Sequence, residues 1–230
     1  MFRYFFAIGG SLVLLCSNLF TAEQQTADPE AVFSEIYYGA YWYTEEPEKR
    51  TSGSGPGSMV KYARPYMDFL EQFLKEKKIK TVVDLGCGDW EFSQHINWGD
   101  VEYRGYDVVE GVIRENTKTY GNDRIHFIHA DILKMDIPEA DLLLCKDVLI
   151  HLPNKDVKNI LEKTNHIKYR LFTNCRSFAD SSELNSQLNK DIPLGKFRVL
   201  DLSQPPFEAQ GKVVFRYKAN SNKEVFLMER

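Results

Sequence analysis

Residues 82–90 read VVDLGCGDW, an apolar run with Asp84 near its end and then two glycines, Gly86 and Gly88, one residue apart. The run is short and rich in β-branched residues, so it reads as a buried strand from 81 to 86 that opens into a tight turn. Glycines at such a turn permit φ > 0 and let a ligand come into contact with the backbone. Outward from this stretch, similar runs recur at 103–108 (YRGYDV), 125–131 (IHFIHAD), 140–147 (ADLLLCKD) and 169–175 (YRLFTNC). They are continuous rather than alternating, as strands covered on both faces must be. Helical stretches lie between most of them. The clearest is 154–165, where Val157, Ile160 and Leu161 share a face and Asn154 is placed to cap. Another covers 59–77, with Pro65 at a first turn or a kink. Near the end, GKVVFRYKA and KEVFLMER flank NSN and predict a β-hairpin. The alternation predicts an α/β fold: a doubly wound, mostly parallel sheet with a C-terminal antiparallel hairpin. Ligands of such sheets sit beyond the carboxyl ends of the strands, at the point where strand order reverses.

A dinucleotide fingerprint would need a third glycine three residues after Gly88, and that position is Glu91. The string instead resembles the first motif of the class I S-adenosylmethionine-dependent methyltransferases, an acidic residue followed by Gly-x-Gly directly after a strand. The family's frequent third glycine is Trp90 here. The resemblance spans about residues 80–175, and the terminal hairpin resembles the reversed strand pair that completes this family's sheet. It implies S-adenosylmethionine as cofactor, with Asp84, Gly86, Cys87 and Gly88 beneath its methionine part. Asp107, 19 residues beyond Gly88 (107 minus 88), would accept the ribose hydroxyls, and Asp131 and Ile132 would meet the adenine.

By the same resemblance, the segment CKDVLIHLPN (145–154) faces the transferred methyl, so Lys146, Asp147 and His151 border the cofactor and its acceptor. His151 is the natural base for an oxygen acceptor, with Asp147 as its orienter or as an alternate base. A histidine before Leu-Pro also serves to bond loop backbone. Asn174 and Arg176, after the fifth strand, are further candidates for substrate contact, and DLSQPPF (201–207) reads as a rigid extended connection bordering the pocket. The residues name no acceptor beyond a small molecule or an exposed hydroxyl.

At 230 residues there is room for one large domain, by the usual ~100–200 residues per domain. Apolar content of 43% and charged content of 27% exclude a disordered chain and a polytopic membrane protein. A net charge of −4 without a long Lys/Arg block argues against a nucleic-acid partner. Residues 1–22 have signal-peptide or signal-anchor grammar, with Arg3 as the only charge and Phe20 poorly suited to cleavage after Ala22. Membrane attachment through this segment is one expectation; a buried N-terminal helix is its rival. Residues 23–58 then form an aromatic helix (Phe33, Tyr37, Tyr38, Tyr41, Trp42, Tyr43) and the loop SGSGPGS, either a plain linker or a lid, and 59–230 form the methyltransferase domain. The cysteines past the leader, Cys87, Cys145 and Cys175, lack metal or disulfide spacing and read as buried thiols. Such thiols and the cofactor suit the cytoplasm, whereas the leader suggests export or anchoring. The expected function is methyl transfer to a small-molecule or exposed hydroxyl. The alternative is a non-catalytic exported binding protein that retains the fold.

Overall fold

The structure, a computed structural model, describes residues 27–39, 41, 53–179 and 181–230. The leader, Trp42 and Tyr43 lie outside the described residues. Among those described, no helix is long and apolar enough to cross a membrane. The chain runs α1 (Pro29–Gly39), α2 (Val60–Lys77), β1 (Thr81–Leu85), β2 (Glu102–Asp107), α3 (Glu110–Tyr120), β3 (Ile125–His129), β4 (Leu142–Lys146), α4 (Asn154–Lys163), β5 (Tyr169–Ser177), α5 (Ser182–Asn185), β6 (Lys212–Lys218) and β7 (Asn222–Glu229).

One sheet of seven strands is ordered β3-β2-β1-β4-β5-β7-β6. The first five are parallel, and β7 is antiparallel to both β5 and β6. Strand order therefore reverses between β1 and β4, and the Gly-x-Gly turn leaves the sheet at that point. The expected fold class holds. The continuous apolar runs have the expected cause: neighbouring residues feed two cores, Val82 and Leu171 on one side of the sheet and Val83 and Phe172 on the other.

Four local expectations are corrected. β3 stops at His129, so Asp131 stands two residues beyond the strand. β5 runs on to Ser177 because β7 pairs along it, which puts Asn174 and Arg176 inside the strand. Asn154 does not cap α4; Pro153 holds the cap position, and the Asn154 carboxamide donates to the Asn189 carbonyl and accepts from Arg198. DLSQPPF is not extended: it folds into turns (Gln204 N–H to Asp201 O, Phe207 N–H to Gln204 O), fastened by the Asn189 carboxamide, and does not reach the pocket described below. α2 runs unbroken through Pro65.

Candidate active site

The turn after β1 is pinned from below: Gly86 and Cys87 both donate N–H to the Tyr106 carbonyl, at 2.8 and 3.0 Å. Gly86 (φ 74) and Gly88 (φ 55) occupy the left-handed region that favours glycine. Trp90 is also left-handed, yet its ring turns into the core and packs on Trp98 and edge-on to Phe127, so the residue in place of a third glycine stays out of the ligand's way. Asp107, at the end of β2, accepts N–H from Gly88 on one oxygen and from Val109 on the other, each at 3.0 Å. The Val108 N–H also bonds this carboxylate, which keeps acceptor capacity for a further donor. Burial raises the Asp107 pKa, and these backbone bonds oppose the rise. Beneath the turn, Tyr103 donates to Asp84 at 2.7 Å, and burial pushes the Asp84 carboxyl up to about 7. Asp131 accepts from Leu133 N–H at 2.9 Å, with the Lys134 ammonium at 3.0 Å.

One cavity gathers Asp84, Gly86, Cys87, Gly88, Asp107, Asp131, Ile132, Lys146, Asp147 and His151, but not the further candidates Asn174 and Arg176. Val108, Val109, Val112, Ile132 and Leu133 give one side an apolar wall. A cofactor with a hydroxyl-bearing sugar and a flat apolar ring fits this arrangement, since the Asp107 carboxylate stands beside that wall.

Part of the site comes from chain before the domain proper. Phe33 and Tyr37 of α1 line the cavity, as do Ser54 and Ser58, while Tyr38 and Tyr41 are exposed. The Gly53 N–H donates to Asp89 at 2.8 Å, and the Asp89 N–H donates to Ser54 Oγ at 3.0 Å. SGSGPGS is thus docked on the turn over its described residues, not a plain linker. A Cβ on Gly88 would lie 2.3 Å from Ser54 Oγ, so the space beside that glycine is taken by the segment itself.

The other end of the cavity is built on charge. Asp147, left-handed at φ 59, receives the Lys146 ammonium at 2.8 Å and the Lys223 ammonium at 2.7 Å. Burial alone would raise the Asp147 pKa; the two ammoniums overcome it and hold the carboxylate well below its usual range. Lys146 also donates to the Gly57 carbonyl at 3.0 Å, and burial lowers its pKa. Asp147 is therefore committed to the lysines rather than orienting His151. Among the described residues, the Lys196 carbonyl lies 3.0 Å from His151 Nδ1. A carbonyl only accepts, so the proton sits on Nδ1 and the basic lone pair on Nε2. Burial pulls the His151 pKa down to about 4.

Lys223 and Arg198 escaped sequence reasoning. Lys223 opens β7, where a lysine reads as a solvated strand end. Arg198 is fully buried and fixes the His151 turn, donating to the Leu149 carbonyl at 2.8 Å and to Asn154 at 3.0 Å. Asn174 is buried outside the cavity, and Arg176 pairs with Asp201 at 3.1 Å. Cys87, Cys145 and Cys175 are free buried thiols whose pKa values burial raises, which leaves them unreactive. Among the described residues no cluster of metal-binding side chains occurs.

Residues 82–167 match a family model described as a methyltransferase domain. Among solved structures, the chain is similar to magnesium protoporphyrin IX methyltransferase from Synechocystis PCC 6803 with bound SAH, at 12% identity and a TM-score of 0.60, covering 88% of this chain and 100% of that one. It is similar to the N-methyltransferase NodS from Bradyrhizobium japonicum WM9 in complex with S-adenosyl-L-homocysteine, at 12% identity and a TM-score of 0.60, covering 89% and 99%. An O-methyltransferase family protein from Burkholderia thailandensis shares 13% identity at a TM-score of 0.55, covering 74% of this chain; the match spans 57% of that protein's length. No curated protein sequence matches.

Proposed function

We propose, from a chain that carries a class I S-adenosylmethionine-dependent methyltransferase domain, that it methylates a hydroxyl of a small-molecule or exposed acceptor. The observation that carries the oxygen is His151, a neutral imidazole in the cavity wall whose proton is parked on Nδ1 against Lys196 O. Solved relatives include both O- and N-methyltransferases, so they leave the acceptor atom open.

Asp107 would hold the ribose hydroxyls, Asp131 and the apolar wall the adenine, and the Gly86–Gly88 turn the methionine part. When bound, S-adenosylmethionine supplies an electrophilic methyl on a sulfonium. His151 Nε2 would take the proton of the hydroxyl as that oxygen is methylated. An oxygen gaining a methyl becomes strongly acidic, so a base with a pKa of about 4 suffices. The enclosing walls position the partners and exclude water.

The test is a screen of hydroxylated small molecules for S-adenosylhomocysteine formation by the full chain, followed by His151→Ala on any substrate found. Loss of turnover with cofactor affinity kept supports the reading. Amine acceptors turning over in place of hydroxyls would overturn it, and cofactor binding without turnover on any acceptor would favour a binding protein.

A further inference from the structure

The helix ahead of the domain, α1, touches both ends of the site at once. Pro29, Phe33 and Tyr37 line the cavity and, spaced four residues apart, form one stripe along the helix. At the end of that stripe the Tyr37 hydroxyl bonds the Asp89 carboxylate in the turn after β1, where the Gly53 N–H also lands at 2.8 Å. Val32 and Ile36 form the neighbouring stripe and meet a different partner. A Cβ on Gly195 would lie 2.6 Å from Val32 Cγ1 and 2.8 Å from Ile36 Cδ1, so these two side chains rest directly on the Gly195 backbone.

The segment that begins at Gly195 is what holds His151. The Gly195 N–H donates to the His151 carbonyl at 2.9 Å, and the Arg198 N–H donates to the Ile150 carbonyl at 3.1 Å. Between these two bonds the Lys196 carbonyl takes the Nδ1 proton, and the Phe197 ring centre lies 5.9 Å from that of the imidazole. The aim of the imidazole thus depends on where this segment sits. α1 has 11 residues, none of them fully buried. A helix of that length is marginal by itself, so its docking depends on what lies under it. Under one stripe lies Gly195; under the other lies the cavity, whose occupant adds contacts to Phe33 and Tyr37.

We propose that Val32 and Ile36 are positioning residues for His151, and that a cofactor bound in the cavity secures α1 through Phe33 and Tyr37 and so aims the base. The inference rests on the methyltransferase reading, with His151 as base. The proton acceptor is then set only when the methyl donor is in place.

The experiment follows the His151 Nδ1 proton by NMR in the full chain carrying isotope-labelled histidine, with His151→Ala assigning the signal. In the wild type, S-adenosylhomocysteine slows solvent exchange of that proton about tenfold, a usual size for coupling between two sites. Ile36→Ala and Val32→Ala each speed the exchange without cofactor and remove most of the slowing that S-adenosylhomocysteine brings. Ile36→Met keeps an apolar reach to Gly195 and behaves as wild type. A thermal melt checks that each variant folds, and a purely structural role would lower the melt without moving the His151 signal. Unchanged exchange in both alanine variants overturns the proposal. Slowing that persists in them at full size also overturns it, because the cofactor would then act on His151 directly. Binding of S-adenosylhomocysteine to the wild type with no change at His151 has the same consequence. Failure of the wild type to bind it overturns the methyltransferase reading instead, and exchange in the alanine variants without cofactor still decides whether α1 holds His151.

Discussion

Asp84 and Asp147 stand near the ends of neighbouring strands with opposite electrostatics. Burial pushes Asp84 up to about 7, so the folded chain keeps a proton there that the unfolded chain has lost above pH 4. Its contribution to stability therefore falls as pH rises from about 4 to 7. Asp84→Asn removes this penalty, and its melting temperature relative to wild type should climb between pH 5 and pH 8. A constant difference would show that Asp84 is ionised throughout. Asp107→Ala should cost about 1.5 to 3 kcal/mol of S-adenosylmethionine affinity by calorimetry, the range for bonds to a charged group. His151→Ala should lower turnover about 10² to 10⁴ fold while sparing cofactor affinity. The sequence alone suggests a titration near the free imidazole value of about 6.5. With the pKa drawn down to about 4, wild-type activity should instead be level from pH 6 to 9 and fall only in acid. Asp84, Asp107 and Asp131 were legible because each lies near the end of its own strand in the local sequence. Lys223 was not, since 76 positions separate it from Asp147 and only the sheet brings them together.

At the scale of elements, the strands showed themselves through apolar runs long enough to serve two cores, but their ends did not. β3 loses its partner at the Asp107–His129 pair although the pattern continues to Asp131. β5 gains length from β7, a neighbour that no local window contains. Alternate residues of β5 point into opposite cores, so truncation damages one side only. Phe172→Ala, at a site with no exposure, should cost about 3 to 5 kcal/mol in denaturant unfolding. A loss under 1 kcal/mol would mean that the core behind β5 collapses to fill the space. The described part of SGSGPGS is an element too, held to the turn by Ser54 and Asp89. Gly88→Val forces a branched residue into φ 55 and drives its Cβ onto Ser54 Oγ, so it should dislodge this segment as well as weaken cofactor binding. Faster proteolysis near Ser54 alongside the lost affinity would report both effects; lost affinity alone would confine the damage to the ligand contact.

Over the whole molecule, the sheet has two halves with different duties. β1 and β2 carry Asp84 and Asp107 near their ends, with Gly86 and Gly88 in the turn after β1, while β4 and the closing hairpin bring Lys146 and Lys223 to Asp147. The strand that completes the second half, β7, lies between β5 and β6 yet is last in the chain. Translation makes this a matter of timing. From Ser177 to Glu229 a ribosome must add 52 residues (229 minus 177), which takes roughly 3 to 10 s at typical elongation rates. Throughout that interval the growing polypeptide presents β5, among its most buried strands when folded, as a raw edge able to pair with a neighbouring nascent chain. Slow codons between β5 and β7 would lengthen that exposure, and the yield of soluble protein would drop before any residue of the site had been altered.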